Sequence, residues 1–153
     1  MEGGRHRGFD HVTVAVRDLE GAVAFFGLLG FEQARAVVVS GEEMSHYMGI
    51  PGWEADHVTL ELRDAPSHQE VQLLRFRSPE LPDRPGERDL ARLGWNHVCF
   101  AVDDLDATVA RLAAHGVRTR SEVLAFHDRR LVFLDGPGGV TVELAEWAEA
   151  TGA

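Results

Sequence analysis

The chain has 153 residues and a formal net charge of −10, because 25 Asp and Glu outnumber 15 Lys and Arg. This length predicts one domain, or two very small ones, that can fold without a disulfide or a structural metal. The 44% hydrophobic content excludes a disordered chain. The acidic balance disfavours nucleic acid and anionic membrane surfaces as partners, but it leaves an anionic small-molecule substrate open.

Three features favour a cytoplasmic protein. Cys99 is the single cysteine, so no intrachain disulfide can form. Met1–Gly8 is polar and shows no apolar stretch typical of a secretory signal. No apolar run approaches the roughly 20 residues that a membrane span needs.

The most informative pattern is an internal repeat. Asp10–Phe31 aligns without a gap to Asn96–Val117, with nine of 22 positions identical. His11 matches His97 in this alignment. A second, shorter match relates VQLLRF, which starts at Val71, to VELAEW, which starts at Val142. The chain therefore predicts two copies of one structural plan.

Taken in chain order, each copy predicts a strand, a helix and three more strands. The first copy has strands at Phe9–Val16, Glu32–Ser40, His57–Arg63 and Glu70–Phe76, with a helix capped by Asp18. The second has strands at Trp95–Val102, Val117–Ala125, Arg130–Leu134 and Val140–Trp147, with a helix capped by Asp104. The predicted fold class is α+β, with two βαβββ modules over residues 8–77 and 94–148 and a linker over 78–93 in one functional domain. The insertion Gly41–Asp56 occurs only in the first copy and predicts a loop or short helix over a pocket.

Four polar residues occupy matching positions on the first and last predicted strands of the two copies. They are His11, Gln72, His97 and Glu143. If a pseudo-twofold axis relates the copies, strand parity lets the four side chains converge. Two imidazoles, one amide oxygen and one carboxylate suit a divalent ion such as Zn, Ni, Co, Mn or Fe, with positions open for substrate.

Paired βαβββ modules that open with DHV and NHV and end in VELAEW resemble the vicinal oxygen chelate superfamily. This superfamily includes glyoxalase I, methylmalonyl-CoA epimerase, extradiol dioxygenases and the fosfomycin and bleomycin resistance proteins. The resemblance implies a curved, mixed-sheet half-barrel around a pocket, a homodimer, and metal ligands at the four positions above. Gln72 stands where the family often has glutamate.

The resemblance also implies a metal-dependent lyase or isomerase that stabilises an enolate. Glu143 is the one carboxylate that could both ligate and move a proton. Because Gln72 cannot act as a base, a second base must come from elsewhere. Strand parity places His57, Thr59 and Glu61 on one face, which makes His57 and Glu61 the candidates, with Glu42 and Glu43 less fixed.

Two alternatives stay open. His11, His97 and Glu143 alone could hold non-haem iron in an extradiol-type dioxygenase. A metal-free, drug-sequestering resistance protein would instead need an apolar cavity. Its candidate lining residues are Met44, Met48, Trp53, Phe76, Trp95, Phe126 and Trp147. Cys99 shares the face of His97 and is interpreted as a small space-filling residue.

Overall fold

The computed structural model describes residues 4–83 and 89–149 and divides into two compact units, residues 1–80 and 81–153. The first unit contains β1 (His11–Ala15), α1 (Leu19–Leu28), β2 (Phe31–Ser40), α2 (Glu42–Met48), β3 (Glu54–Leu62) and β4 (Glu70–Ser78). The second contains β5 (Val98–Ala101), α3 (Leu105–Ala114), β6 (Leu124–Phe126), β7 (Arg129–Asp135) and β8 (Thr141–Trp147).

The two units share one topology. The strand order is β1-β4-β3-β2 in the first sheet and β5-β8-β7-β6 in the second. The first strand of each unit pairs in parallel with the last, and the other pairs are antiparallel. Both sheets are therefore mixed and open, and the predicted α+β fold with repeated βαβββ modules is confirmed. In the described residues, no helix is long and apolar enough to cross a membrane.

Equivalent residues begin and end the first helix of each unit. The Asp18 carboxylate accepts a hydrogen bond from the Gly21 amide at 2.9 Å, and Asp104 accepts one from Ala107 at 2.9 Å. These N-caps satisfy amides that would otherwise lack a partner at the start of a helix. Gly30 follows α1 with φ +96°, a left-handed conformation that glycine adopts without a Cβ clash.

The apolar core of the first unit lies on one face of its sheet. α1 buries Leu19, Ala22, Phe25 and Phe26. On the strands the fully buried residues Val71 and Leu73 alternate with Glu70 and Gln72. Because successive strand residues point to opposite faces, this alternation leaves the polar residues on the face that α1 does not cover. The apolar face thus fixes the direction of the candidate site residues.

Two predicted boundaries were wrong. The span Val117–Ala125 is not one strand: Thr119 makes a single bridge to Leu134, and regular pairing occurs only at Leu124–Phe126. Arg120 anchors the chain here through Asp135 at 2.7 Å, and side-chain bonding replaces a continuous ladder. The insertion is shorter than predicted, because pairing with β2 extends β3 back to Glu54. Residues 84–88 of the predicted linker lie outside the described residues.

Candidate functional site

A strip of polar side chains crosses three strands of the first unit. Cross-strand pairs project to the same face of a sheet. β1 pairs His11 with Glu70 and Thr13 with Gln72, and β3 adds Glu61 opposite Glu70. We call this set the first strip; its members are His11, Thr13, His57, Thr59, Glu61, Glu70 and Gln72. The shared face of His57, Thr59 and Glu61 follows strand parity as predicted, and His57 touches Gln72.

Gln72 occupies the centre of the first strip with both ends of its amide engaged. Its Nε2 donates to Glu70 Oε2 at 2.6 Å, and its Oε1 lies 3.0 Å from His57 Nε2 and 3.5 Å from Thr13 Oγ1. A carboxylate can only accept, so Glu70 fixes the orientation of the amide. His57 must then donate its Nε2 proton to Gln72, which leaves Nδ1 as the basic nitrogen of His57.

Glu70 is the functional candidate that the sequence reasoning missed. Its Oε2 lies 3.9 Å from His11 Nδ1, and its Oε1 lies 3.3 Å from His68 Nε2. It belongs to two groups whose potential metal-ligand atoms lie within 4.8 Å of one another, one with Asp10 and His11 and one with Glu61 and His68. The parity that selected Gln72 applies equally to Glu70, two residues earlier, and could have revealed it.

In the second unit His97 and Glu143 face each other. His97 Nε2 lies 3.7 Å from Glu143 Oε1. Two ligand atoms bound to one ion at about 2.1 Å lie roughly 3–3.5 Å apart, so a small adjustment would let both bind a divalent cation. This pair therefore fits a metal.

The preceding residue orients each histidine. Asn96 Oδ1 lies 2.7 Å from His97 Nδ1, while Asn96 Nδ2 donates to the Leu90 carbonyl at 2.7 Å. The amide is thereby fixed, so His97 carries its proton on Nδ1 and leaves Nε2 free as a ligand. In the first unit, Asp10 Oδ1 contacts His11 Nδ1 in the matching position.

Cys99 is unsuited to nucleophilic chemistry. It pairs with Glu143 across β5 and β8. Burial and the neighbouring Glu143 carboxylate raise the pKa of the Cys99 thiol to about 12. The thiol stays protonated at neutral pH, so the thiolate that would react is absent. The His97 ring has an aromatic neighbour as well: the Phe133 ring packs edge-on against it, with ring centroids 5.1 Å apart.

The remaining predicted residues are not members of the first strip or of the His97–Glu143 pair. Met44, Met48, Trp53 and Phe76 belong to one apolar cluster beside the first strip. Trp95, Phe126 and Trp147 are exposed. The insertion forms an open groove of about 690 Å³ whose lining includes Glu42, His46 and Ile50 but none of the four predicted metal ligands. Glu42 and Glu43 stand in the first turn of α2.

Comparison with known proteins identifies relatives of two named activities. The chain is 24% identical over 145 residues to a lactoylglutathione lyase of Schizosaccharomyces pombe, covering 90% of this chain and 44% of the lyase. It is 29% identical to human mitochondrial methylmalonyl-CoA epimerase, covering 90% and 72% of the two chains. An uncharacterized Escherichia coli protein, YaeR, is 35% identical over 77 residues, which cover 50% and 57%. The chain thus spans about half the length of the lyase and of YaeR.

A solved structure and a family model agree on the fold. A glyoxalase family protein from Bacillus cereus superposes with a TM-score of 0.86 at 27% identity, covering 97% of this chain and 99% of that one. The model described as the glyoxalase/bleomycin resistance protein/dioxygenase superfamily matches residues 10–133. The chain therefore belongs to the glyoxalase/bleomycin resistance protein/dioxygenase superfamily.

Proposed function

We propose that this protein is a divalent-metal-dependent lyase or isomerase that acts on a small, oxygen-rich substrate. The observation that carries the proposal is the His97–Glu143 pair, 3.7 Å apart, with the histidine oriented by Asn96. A lyase and an epimerase among the relatives support the reaction class. The ligand set taken from the repeat is His11 and Gln72 in the first unit with His97 and Glu143 in the second. The homodimer and the cytoplasmic location stay predictions.

Glu143 is the proposed proton-moving group. A bound divalent cation would polarise a substrate carbonyl and stabilise the enolate that forms beside it. Glu143 faces His97 and Cys99, and its side chain is only 14% exposed. A largely buried carboxylate of this kind can accept the proton from the carbon next to the carbonyl and return it.

Glu61 is the better candidate for the second base. His57 donates its Nε2 proton to Gln72, so that nitrogen cannot accept another proton while the contact lasts. Glu61 lies on the same face with an exposed carboxylate. We therefore propose that Glu61 makes the second proton transfer and that His57 holds Gln72. His57 could accept a proton only at Nδ1.

The packing of the first unit argues against metal-free drug sequestration. Met44, Met48 and Phe76 pack against the buried cluster that contains Trp53, and the groove of the insertion reaches only the edge of this cluster at Trp53. Trp53 is 3% exposed, so it presents almost no surface to a ligand. An extradiol-type dioxygenase stays the second candidate function, because His11, His97 and Glu143 supply two histidines and one carboxylate. The identity of the bound metal would distinguish it from a lyase or isomerase.

Metal analysis of the purified chain tests the proposal. We expect one divalent ion per chain after removal of metal and reloading with Zn, Ni, Co, Mn or Fe. His97→Ala and Glu143→Ala should each weaken binding more than about 100-fold, because loss of a ligand exceeds the effect of an outer residue. His115→Ala is the matched control, since His115 lies at the end of α3 and bonds to Arg111. A chain that binds no ion would contradict the proposed function.

A further inference from the structure

We propose that Arg129, which lies between the aromatic residues Phe126 and Trp147 on the second sheet, binds a carboxylate group of the substrate. The proposal rests on the function proposed above and adds a substrate class to it, a small planar acid. Three observations in the second unit carry it: the row that these residues form across the sheet, the unbonded Nε of Arg129, and the contrast with Arg130.

The three side chains form one row across the second sheet. The strand register pairs Phe126 of β6 with Arg129 of β7, and Arg129 with Trp147 of β8. Cross-strand partners project to the same face of a sheet. The Cζ atom of Arg129 lies 4.4 Å from the ring centroid of Trp147, so the guanidinium stacks on this ring. Phe126 and Trp147 are 45% and 53% exposed, which leaves ring surface for a flat ligand.

Arg129 is a cation that no anion balances among the residues that the structure describes. Its side chain is half-buried, and its Nε is buried without a hydrogen-bond acceptor. None of the ion pairs within the described residues includes Arg129. A donor that loses water without gaining an acceptor destabilises the fold, so such a group in a native protein requires an explanation. A carboxylate from a ligand would supply the missing acceptor, because it matches the planar fork of a guanidinium.

The adjacent Arg130 shows how the same side chain is satisfied on the other face of the sheet. Successive residues of a strand point to opposite faces, and Arg130 meets α3. Its Nη2 donates to Asp106 at 2.8 Å, and its Nη1 donates to Glu146 at 3.3 Å. Two carboxylates of the protein therefore balance Arg130, whereas Arg129 has an aromatic ring as its neighbour.

The row shares a sheet face with the proposed metal ligand Glu143. Glu143 pairs with Phe133, and Phe133 and Arg129 are four residues apart on β7, so all three project to one face. At about 3.3 Å per residue, the Cα atoms of Phe133 and Arg129 are roughly 13 Å apart, and the long arginine side chain can span part of this distance. A small substrate with its carbonyl near Glu143 can therefore place a carboxylate against Arg129.

Benzoate binding to the full chain in the presence of a chelator, measured by calorimetry, tests this proposal. The chelator keeps benzoate from binding through a metal ion. We expect benzamide, the uncharged analogue, to bind at least about tenfold more weakly than benzoate, because a charged acceptor strengthens the hydrogen bonds. Arg129→Gln should weaken benzoate binding at least about tenfold. Arg129→Lys keeps the charge without the planar fork, so its affinity should fall between those of wild type and Arg129→Gln.

Arg130→Gln is the matched control, because it removes the same charge one residue away on the other face. We expect it to change benzoate affinity less than about twofold, since solvent and salt screen a distant charge. Equal losses in Arg129→Gln and Arg130→Gln would overturn the proposal. So would a wild-type chain that binds no benzoate, or one that binds benzamide as tightly as benzoate.

Metal binding separates this proposal from the function on which it rests. If the chain binds a divalent ion but Arg129→Gln leaves benzoate affinity unchanged, the carboxylate site is wrong and the metal-dependent function stands. If the chain binds benzoate through Arg129 but binds no divalent ion, the carboxylate site stands and the metal-dependent function is wrong.

Discussion

The two units carry the same backbone plan but different surroundings for their site residues. In the first unit, Gln72 lies opposite Thr59 and bonds to His57 and Glu70. In the second, the matching Glu143 lies opposite Phe133 and beside Cys99. One unit therefore presents a connected polar strip, and the other presents a carboxylate that faces His97 between Cys99 and Phe133.

The two units thus keep one topology while the residues around their site positions differ. Both units retain the strand order, the aspartate N-cap and a histidine oriented by the preceding side chain. The third strand of each sheet changed its polarity, since Thr59 in β3 corresponds by pairing to Phe133 in β7. The Glu143 carboxylate, with the weakly polar Cys99 and the aromatic Phe133 beside it, suits proton transfer, whereas the hydrogen-bonded Glu70 carboxylate is held in a fixed geometry.

The insertion is the second difference between the units. Within it, we expect the substitution of Trp53 to have the largest effect on the stability of the protein. Trp53 is 3% exposed and packs against Phe76 with centroids 5.9 Å apart. We expect Trp53→Ala to lower the free energy of unfolding by about 3–5 kcal/mol in urea denaturation, because a large buried side chain is lost. Trp147→Ala in the second unit is the control. Trp147 is exposed and contacts Arg129 through its ring, so its loss should cost about 1 kcal/mol or less. Similar costs for both variants would contradict this account.

The orienting residues before the two histidines should differ in their effect on metal affinity. Asn96 is fixed by His97 on one side and by the Leu90 carbonyl on the other, whereas Asp10 is mostly exposed. We expect Asn96→Ala to weaken metal binding roughly tenfold by calorimetry, with a smaller loss for Asp10→Ala. Asn96→Asp keeps the acceptor and should retain most of the affinity. A greater loss in Asp10→Ala than in Asn96→Ala would contradict the expectation that Asn96 orients its histidine more firmly than Asp10 does.

The smallest expected effect concerns a charge cluster on the other face of the first sheet. Hydrogen bonds from Arg77 and Arg75 lower the pKa of Asp56 below its usual value of 3.8. A carboxylate with a lowered folded-state pKa stabilises the fold above its unfolded-state pKa, and this stabilisation is lost as pH falls through the folded-state value. Asp56→Asn should thus cost about 1 kcal/mol at pH 7, with the difference from wild type shrinking below about pH 4.

The second unit supplies the matched control for Asp56. Asp106 pairs with Arg130 at 2.8 Å, but its side chain is 73% exposed, against 14% for Asp56. Solvent screens an exposed ion pair, so Asp106→Asn should change the unfolding free energy less than Asp56→Asn does. Equal changes, or a difference for Asp56→Asn that grows towards acid pH, would show that the arginines do not stabilise the folded carboxylate.

Much of the fold could be predicted because its signals are local and occur twice. The N-cap aspartates, the glycines after the helices and the alternating strands each specify a neighbouring conformation. The β6 region failed because Thr119 and Arg120 join the sheet through one bridge and a side-chain anchor. Such contacts reach residues 15 positions away and leave no periodic pattern along the chain.

The sequence by itself determined the repeat, the family resemblance and the faces on which His11, Gln72, His97 and Glu143 lie. Those properties follow from residue identity and from the twofold period of a strand. Only the tertiary structure decided what each side chain touches. The structure adds Glu70 to the candidate site and shows that His57, predicted as a candidate base, donates a hydrogen bond to Gln72. Both results follow from strand register, which sets the cross-strand neighbours. Register depends on pairing between segments far apart in the chain, which local sequence patterns do not specify.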